Sequence, residues 1–340
     1  MGSYFLKRLA LIPPTLLGVT LIVFAITRLV PGGPLERAIM EAQVAGADAM
    51  SFSSSAGQNM AISDAQLDQL KAYYGFDKPI LESYVIWVGK IFTGDLGTSY
   101  RYNEPVWNVI KDRFPISIYY GLGTPILTYA VCIPLGLVKA VRHRTAVDTA
   151  SSIFIFIGYA VPGYALGSLL LLFFSVRLDW FPMGGFVSFN YDMLTPTEQW
   201  LDIIHHSILP LICYIIGSFA LVTMLLKNHL LDNLAADYIR TAIAKGVSFK
   251  QAVLRHALRN SMIPIATTFG QNITLLVGGS FLIESIFDID GFGLLGLTSI
   301  LDRDYPVVMG VVLLSSLLLL IGNVLSDLLV ALVDPRIRFQ

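Results

Sequence analysis

Six apolar runs, near residues 9–30, 114–138, 149–176, 203–226, 263–287 and 307–332, dominate this 340-residue chain. A bilayer core of about 30 Å needs roughly 20 apolar residues per helix, and every run meets that length. Within lipid the backbone N–H and C=O groups must be satisfied inside the segment, so the runs are expected to be helices. The expected fold class is an all-α polytopic membrane protein with six transmembrane helices. Composition agrees: 14% of residues are charged, against about a quarter in soluble domains. A net charge of −1 excludes a global attraction to nucleic acid. Cys132 and Cys213 fall inside apolar runs and are expected to be buried thiols, not a disulfide framework.

Basic residues set the expected orientation. Lys7 and Arg8 precede the first run, and Lys139, Arg142 and Arg144 follow the second. Lys227, Arg240, Lys245, Lys250, Arg255 and Arg259 follow the fourth, and Arg336 and Arg338 the last. The loops at 177–202 and 288–306 are acidic instead, with Asp179, Asp192, Glu198 and Asp202 in one and Asp288, Asp290, Asp302 and Asp304 in the other. The excess of Lys and Arg on one side puts both termini in the cytoplasm and residues 31–113 outside. The first run is too long for a cleaved signal peptide and reads as an uncleaved anchor. The expected organisation is an N-terminal end and first span (1–30), an outer segment (31–113) and a core (114–340) carrying a loop at 227–262.

The outer segment has its own pattern. Residues 42–62 are small and polar and read as a flexible insert. Ser63 suits the start of a helix running to Tyr74, with Gly75 as its stop. Residues 80–92 are apolar at helical spacing (Val85, Val88, Phe92) but too short to span. They read as an amphipathic helix at the outer interface, with Trp87 as a headgroup anchor. Pro13, Pro14, Pro125, Pro134, Pro162 and Pro210 lie within the spans, and each removes an intrahelical hydrogen bond and favours a bend.

The loop after the fourth span carries the most information. Ala235, Ile239, Ala242 and Gly246 recur at helical steps and share one face. That face is mostly small, so another protein's surface can approach it closely. Gly246 suits a left-handed helix end. Ser248 and Gln251 form a capping box that starts a second helix. Composition alone also allows an ordinary solvated loop obeying the charge rule.

The stretch Tyr238-Ile-Arg-Thr-Ala-Ile-Ala-Lys-Gly246, followed by His256-Ala-Leu-Arg-Asn260 and Pro264, resembles the cytoplasmic loop of ABC-transporter permeases. That loop has the general pattern Glu-Ala-Ala-x-x-x-Gly and, further on, Ile-x-Leu-Pro. Ala242, Gly246 and Leu258 match it. Arg240, Thr241, His256 and Arg259 depart from it in the manner of the peptide-transporter class, although Ile243 stands where that class has an arginine. The likeness extends through Pro31-Gly-Gly-Pro34, Gly75-Phe-Asp-Lys-Pro79, Gly94-Asp-Leu-Gly-Thr-Ser99, Ile208-Leu-Pro210, Glu284-Ser-Ile-Phe287, Arg303-Asp-Tyr-Pro306 and Asp334-Pro-Arg336. Within the class, Gly158-Tyr-Ala-Val-Pro162, Leu294-Leu-Gly296 and Val333-Asp-Pro-Arg336 are similar to the B-type permeases of Yej peptide and microcin C importers. The resemblance implies the type I importer permease fold in a bacterial inner membrane, with residues 31–113 periplasmic. It implies a coupling helix that docks on an ABC ATPase subunit through Ala235, Tyr238, Ile239, Arg240, Thr241, Ala242, Lys245, Gly246 and Val247. The implied partners are a second homologous permease, one or two ATPase subunits, a periplasmic peptide-binding protein, membrane lipids and the peptide substrate. No Gly-x-x-x-x-Gly-Lys-Ser/Thr phosphate cradle occurs in the chain, so ATP and Mg²⁺ are expected at the partner ATPase and no cofactor on this chain.

Arg28, Glu284 and Asp327 are the ionisable groups expected within the spans. Glu284 is a candidate to pair with Arg28 or to line the pathway, and Asp327 to make a polar contact between helices. His205 and His206 are adjacent and point apart on a helix, which makes a poor metal pair. Two other readings are a nickel-type permease of the same family, which calls for converging metal ligands, and an ion-driven carrier, which calls for more buried charge.

Overall fold

The computed structural model describes residues 2–29, 68–69, 71, 77–267 and 281–333. Among them the regular structure is helical: α1 (Gly2–Leu29), α2 (Ile80–Phe92), α3 (Val106–Val141), α4 (Ala146–Ala160), α5 (Gly163–Leu170), α6 (Pro196–Ala235), α7 (Asp237–Ala244), α8 (Phe249–Gln251), α9 (Leu258–Ser261), α10 (Phe281–Ile286), α11 (Phe292–Asp302) and α12 (Tyr305–Val333). Four of these contain stretches long and apolar enough to cross a membrane: Tyr4–Leu29, Val106–Val141, Pro196–Ala235 and Tyr305–Ala331. The expected span at 263–287 lies in part outside the described residues, as do the insert at 42–62, Ser63 and Tyr74.

The expected third span is not one helix. α4 and α5, the latter continuing as the π-helix Leu171–Arg177, meet at 94°. A proline disfavours the helical conformation in the residue before it. Val161 accordingly is extended at φ −92, ψ 120, and the chain restarts after Pro162. The other prolines behave differently. α1 carries Pro13 and Pro14, α3 carries Pro115, Pro125 and Pro134, and α6 carries Pro210, each inside one continuous helix. Neighbouring groups tolerate the missing bond there, as is common in membrane helices.

The chain divides into two compact units. One comprises residues 1–12, 113–295 and 315–340, and the other residues 13–112 and 296–314. In the first, Tyr120, Leu209, Cys213, Tyr214, Ile283, Phe287 and Ile289 form one core, and Cys132, Val222, Leu226 and Ile265 another. Both cysteines are buried free thiols. The bent pair seats closely on α6: a Cβ on Gly163 would lie 2.7 Å from the Cys213 carbonyl oxygen.

In the second unit, Phe24 of α1, Tyr84 of α2 and Met309 of α12 pack together. The Tyr84 hydroxyl donates to Leu17 O at 2.8 Å and lies 2.9 Å from Thr20 Oγ1. Trp87 joins this cluster. It stacks on Tyr84 at 6.0 Å and packs on Phe24, while Leu81, Val85 and Phe92 form the exposed apolar face of α2. Two of the sequence motifs meet here. Asp304 accepts hydrogen bonds from the Ser99 hydroxyl and from the backbone N–H groups of Tyr100 (3.1 Å) and Arg101 (3.2 Å).

Gly163→Ala is expected to destabilise the detergent-solubilised protein by about 1–3 kcal/mol, because backbone and not a flexible side chain blocks the new methyl group. Gly217, also helical, has nothing within 4 Å of the same position. There Ala is expected to be neutral or to stabilise by about 0.5–1 kcal/mol. Thermal unfolding of the two variants side by side checks the contrast.

Candidate functional site: the Asp237–Ala244 helix and the charges behind it

The site begins where α6 ends. Ala236 is extended (φ −73, ψ 147), which breaks the helix after Ala235 and lets α7 start in a new direction. Asp237 sits in the first turn of α7, where a carboxylate is favoured by the helix dipole. The far end closes in a Schellman motif: Gly246 N–H donates to Ile243 O at 2.9 Å and Val247 N–H to Ala242 O at 3.1 Å. Gly246 takes φ +91, a conformation that glycine reaches without penalty. Ser248 Oγ then accepts from the Gln251 N–H at 3.4 Å. α8 passes through a π-turn at Ala252–Ala257 into α9.

One side chain pins α7 to the body. Ile239 is 1% exposed and sits among Ala140 of α3, Leu230 of α6, Ala252 and Ala257, with Leu137, Leu231, Leu234, Val247 and Leu258 around them. Burying such a side chain contributes about 1.5–3 kcal/mol. A polar network adds to it. Asn233 Nδ2 donates to Ser261 Oγ (3.1 Å), Tyr238 OH donates to Asn233 Oδ1 (2.6 Å), and Asn260 Nδ2 donates to Tyr238 OH (3.1 Å). The end of α6, the start of α7 and α9 are thus stapled together.

This placement corrects the face expected to meet a partner. Ile239 is buried, and Ala242 and Val247 are half-buried; only Ala235 and Gly246 of the small-residue row are exposed. The row turns inward because its one bulky apolar residue takes the available core. The outward surface consists of Tyr238, Arg240, Thr241, Ile243, Ala244, Lys245 and Gly246, with Phe249 beyond. The Arg240–Asp237 contact at 3.7 Å is fully exposed and adds little stability.

Behind the Ile239 socket lies a charge cluster that the sequence pattern does not announce. Asp148, in the first turn of α4, is 5% exposed, between Lys139 of α3 (0%) and Lys227 of α6 (9%). Lys227 Nζ donates to both carboxylate oxygens, at 2.7 and 2.8 Å. Lys139 Nζ lies 3.0 Å from Oδ1 and donates to Asp148 O, Ser151 Oγ and Ser152 Oγ at 2.7–2.9 Å. The Arg144 N–H (3.1 Å) and His143 Nδ1 (3.3 Å) approach Oδ2. The two lysines read in sequence as ordinary flanking cations. The available signal was a lone acid at the head of an apolar run whose flank is otherwise basic.

The remaining candidates occupy separate places. Glu284 is 3% exposed, and its carboxylate accepts from the Leu294 N–H (2.6 Å) and the Tyr214 hydroxyl (3.3 Å). It therefore ties α10 to the start of α11 and to α6. Arg28 lies over the Phe24 ring at 5.1 Å, beside a cavity of about 290 Å³ that Trp87 and Met309 also line. Asp327 of α12 accepts from the Tyr4 hydroxyl (3.0 Å) and pairs with Arg8 at 3.2 Å, both on α1. His205 and His206 bond separately, to the carbonyls of Trp180 and Asp202.

Ile239→Ala is expected to cost about 2–5 kcal/mol of stability. Ile243→Ala, on the exposed side, is expected to stay within about 0.5 kcal/mol of wild type. Thermal unfolding of the purified variants measures the difference.

Residues 132–339 match the family described as "Binding-protein-dependent transport system inner membrane component". Over its full length the chain is 37% identical to the peptidoglycan transport system permease protein YejB of Agrobacterium fabrum, 99% of which is covered. It is 37% identical to the inner membrane ABC transporter permease protein YejB of Escherichia coli O157:H7, and 35% identical to the oligopeptide transport system permease protein AppB of Bacillus subtilis. Each of these two alignments covers 100% of both chains.

Proposed function

The chain belongs to the binding-protein-dependent transport system inner membrane component family, and we propose from that membership how it imports peptides. It is a permease subunit of an ATP-driven peptide importer, and partner ATPases carry out the hydrolysis. Permeases of this kind work with an ATPase and a substrate-binding protein. The finer arrangement is our reading: a second homologous permease completes the pathway, both termini face the cytoplasm, and the outer segment meets a binding protein in the periplasm.

The observation that carries this reading is the form of α7. It is a short amphipathic helix, fixed to α3 and α6 by one buried isoleucine and exposing Tyr238, Arg240, Thr241 and Ile243, with Lys245 just beyond its end. A surface of this kind, rigidly attached to two long apolar helices, suits the seat of an external motor. ATP closes two ATPase subunits; their approach drives the two coupling helices together, and the membrane helices rock from inward-open to outward-open. Peptide delivered outside enters at that stage and is released inside on return. Neither a nickel site nor an ion-driven cycle is favoured, since the relatives are named for peptides, oligopeptides and peptidoglycan. Microcin C-like peptides belong to the proposed substrate range through the likeness to Yej-type permeases.

The complex reconstituted with its ATPase, second permease and binding protein is expected to accumulate peptide only with ATP. Gly246→Asp has room for a side chain but strains the φ +91 turn and adds a charge at the docking surface. It is expected to abolish uptake while leaving membrane insertion intact. Wild-type uptake by that variant would remove the docking role. Uptake by the lone chain under a proton gradient would favour a carrier instead.

A further inference from the structure

The charge cluster sits between the proposed docking helix and the bent helix pair, and that position gives Asp148 a task. We propose that Asp148 is a positioning residue for transport: it passes displacement of the α7 socket from α3 and α6 to the head of α4. The proposal rests on the permease reading and deepens it.

Three observations support it. First, the head of α4 has few other holds. Ala146, Val147, Thr149 and Ala150 are exposed, and Asp148 is the buried residue of that turn; Ser151 and Ser152 are half-buried and bond to the same Lys139 ammonium. Second, the two lysines belong to the helices that form the socket. Lys139 adjoins Ala140, and Lys227 lies one turn before Leu230; both of those neighbours pack around Ile239. A push on α7 therefore reaches both ammonium groups through packed side chains. Third, the tie has the right mechanical character. A carboxylate held by two buried ammonium groups loses both bonds when moved by an ångström or so. The head of α4 must then follow α3 and α6, in step with α5, which already rests on α6 at Gly163 across the 94° bend.

A purely structural ion pair would also be buried and bonded, so the test reads coupling rather than activity alone. The full complex in proteoliposomes is assayed for ATP hydrolysed per peptide imported with wild type, Asp148→Asn, and Asp148→Asn combined with Lys227→Met. The double variant retains the formal charge of the cluster, since two lysines and one aspartate become one lysine. Both variants are expected to assemble and to raise the ATP cost per peptide by about fivefold or more, the size of a lost coupling between sites. An unchanged ratio in an assembled Asp148→Asn complex overturns the proposal. So does a double variant that returns to the wild-type ratio, which would reduce the role to charge balance, or failure of both variants to assemble, which would reduce it to folding. A wild-type complex that imports nothing with ATP overturns the permease reading itself, and this proposal with it.

Discussion

The insertion of Ile239 between α3 and α6 is the contact on which the functional account depends. Without it, α7 would keep its hydrogen bonds to α6 and α9 but lose its packed anchor between α3 and α6. With it, the short helix is clamped to two membrane-length helices at once. The Schellman end at Gly246 and the Asn233–Tyr238–Asn260 hydrogen bonds hold the geometry around that clamp. Force applied to the exposed side therefore enters the bundle along rigid elements.

Rigidity and breaks alternate along the chain for physical reasons. α6 runs 40 residues through Pro210 unbroken, whereas the segment through Pro162 turns through 94°. At Pro162 the preceding Val161 is extended, and the following residue allows a close approach. Pro162 is succeeded by Gly163, which lets the backbone press against the Cys213 carbonyl so closely that no side chain fits. Pro210 is succeeded by Leu211, which packs beside the Tyr120–Cys213 core as an ordinary helical residue. Burial is another guide. Only 11% of the apolar stretch of α1 is buried within the chain, so most of that helix is left to face lipid or another subunit.

Much of the architecture was legible because lipid imposes simple rules. Apolar runs of the right length located α1, α3, α6 and α12, and helical spacing located α2 with its bounds at 80 and 92. Gly246 announced its turn through the conformational freedom of glycine, and Ser248 its cap. The errors came where tertiary contact decides. Periodicity put Ala235, Ile239, Ala242 and Gly246 on one face but could not say whether that face looks inward. Lys139 and Lys227 match the flanking-charge rule so well that their shared partner is hidden in the sequence; Asp148 is 9 residues from one and 79 from the other. Pairing across such separations is set by packing and has no local signature.

On our reading, mechanical work enters at the exposed side of α7 from an ATP-hydrolysing neighbour. Single cysteines at Arg240, Lys245 and Ile239 test it most directly, because the native Cys132 and Cys213 are buried and stay silent. In the working complex, cysteines at 240 and 245 are predicted to cross-link to the ATPase subunit, with yields that change on ATP binding, while a cysteine at 239 remains unreactive. A complex that imports peptide with ATP yet gives no ATPase adduct from either exposed position would contradict the account.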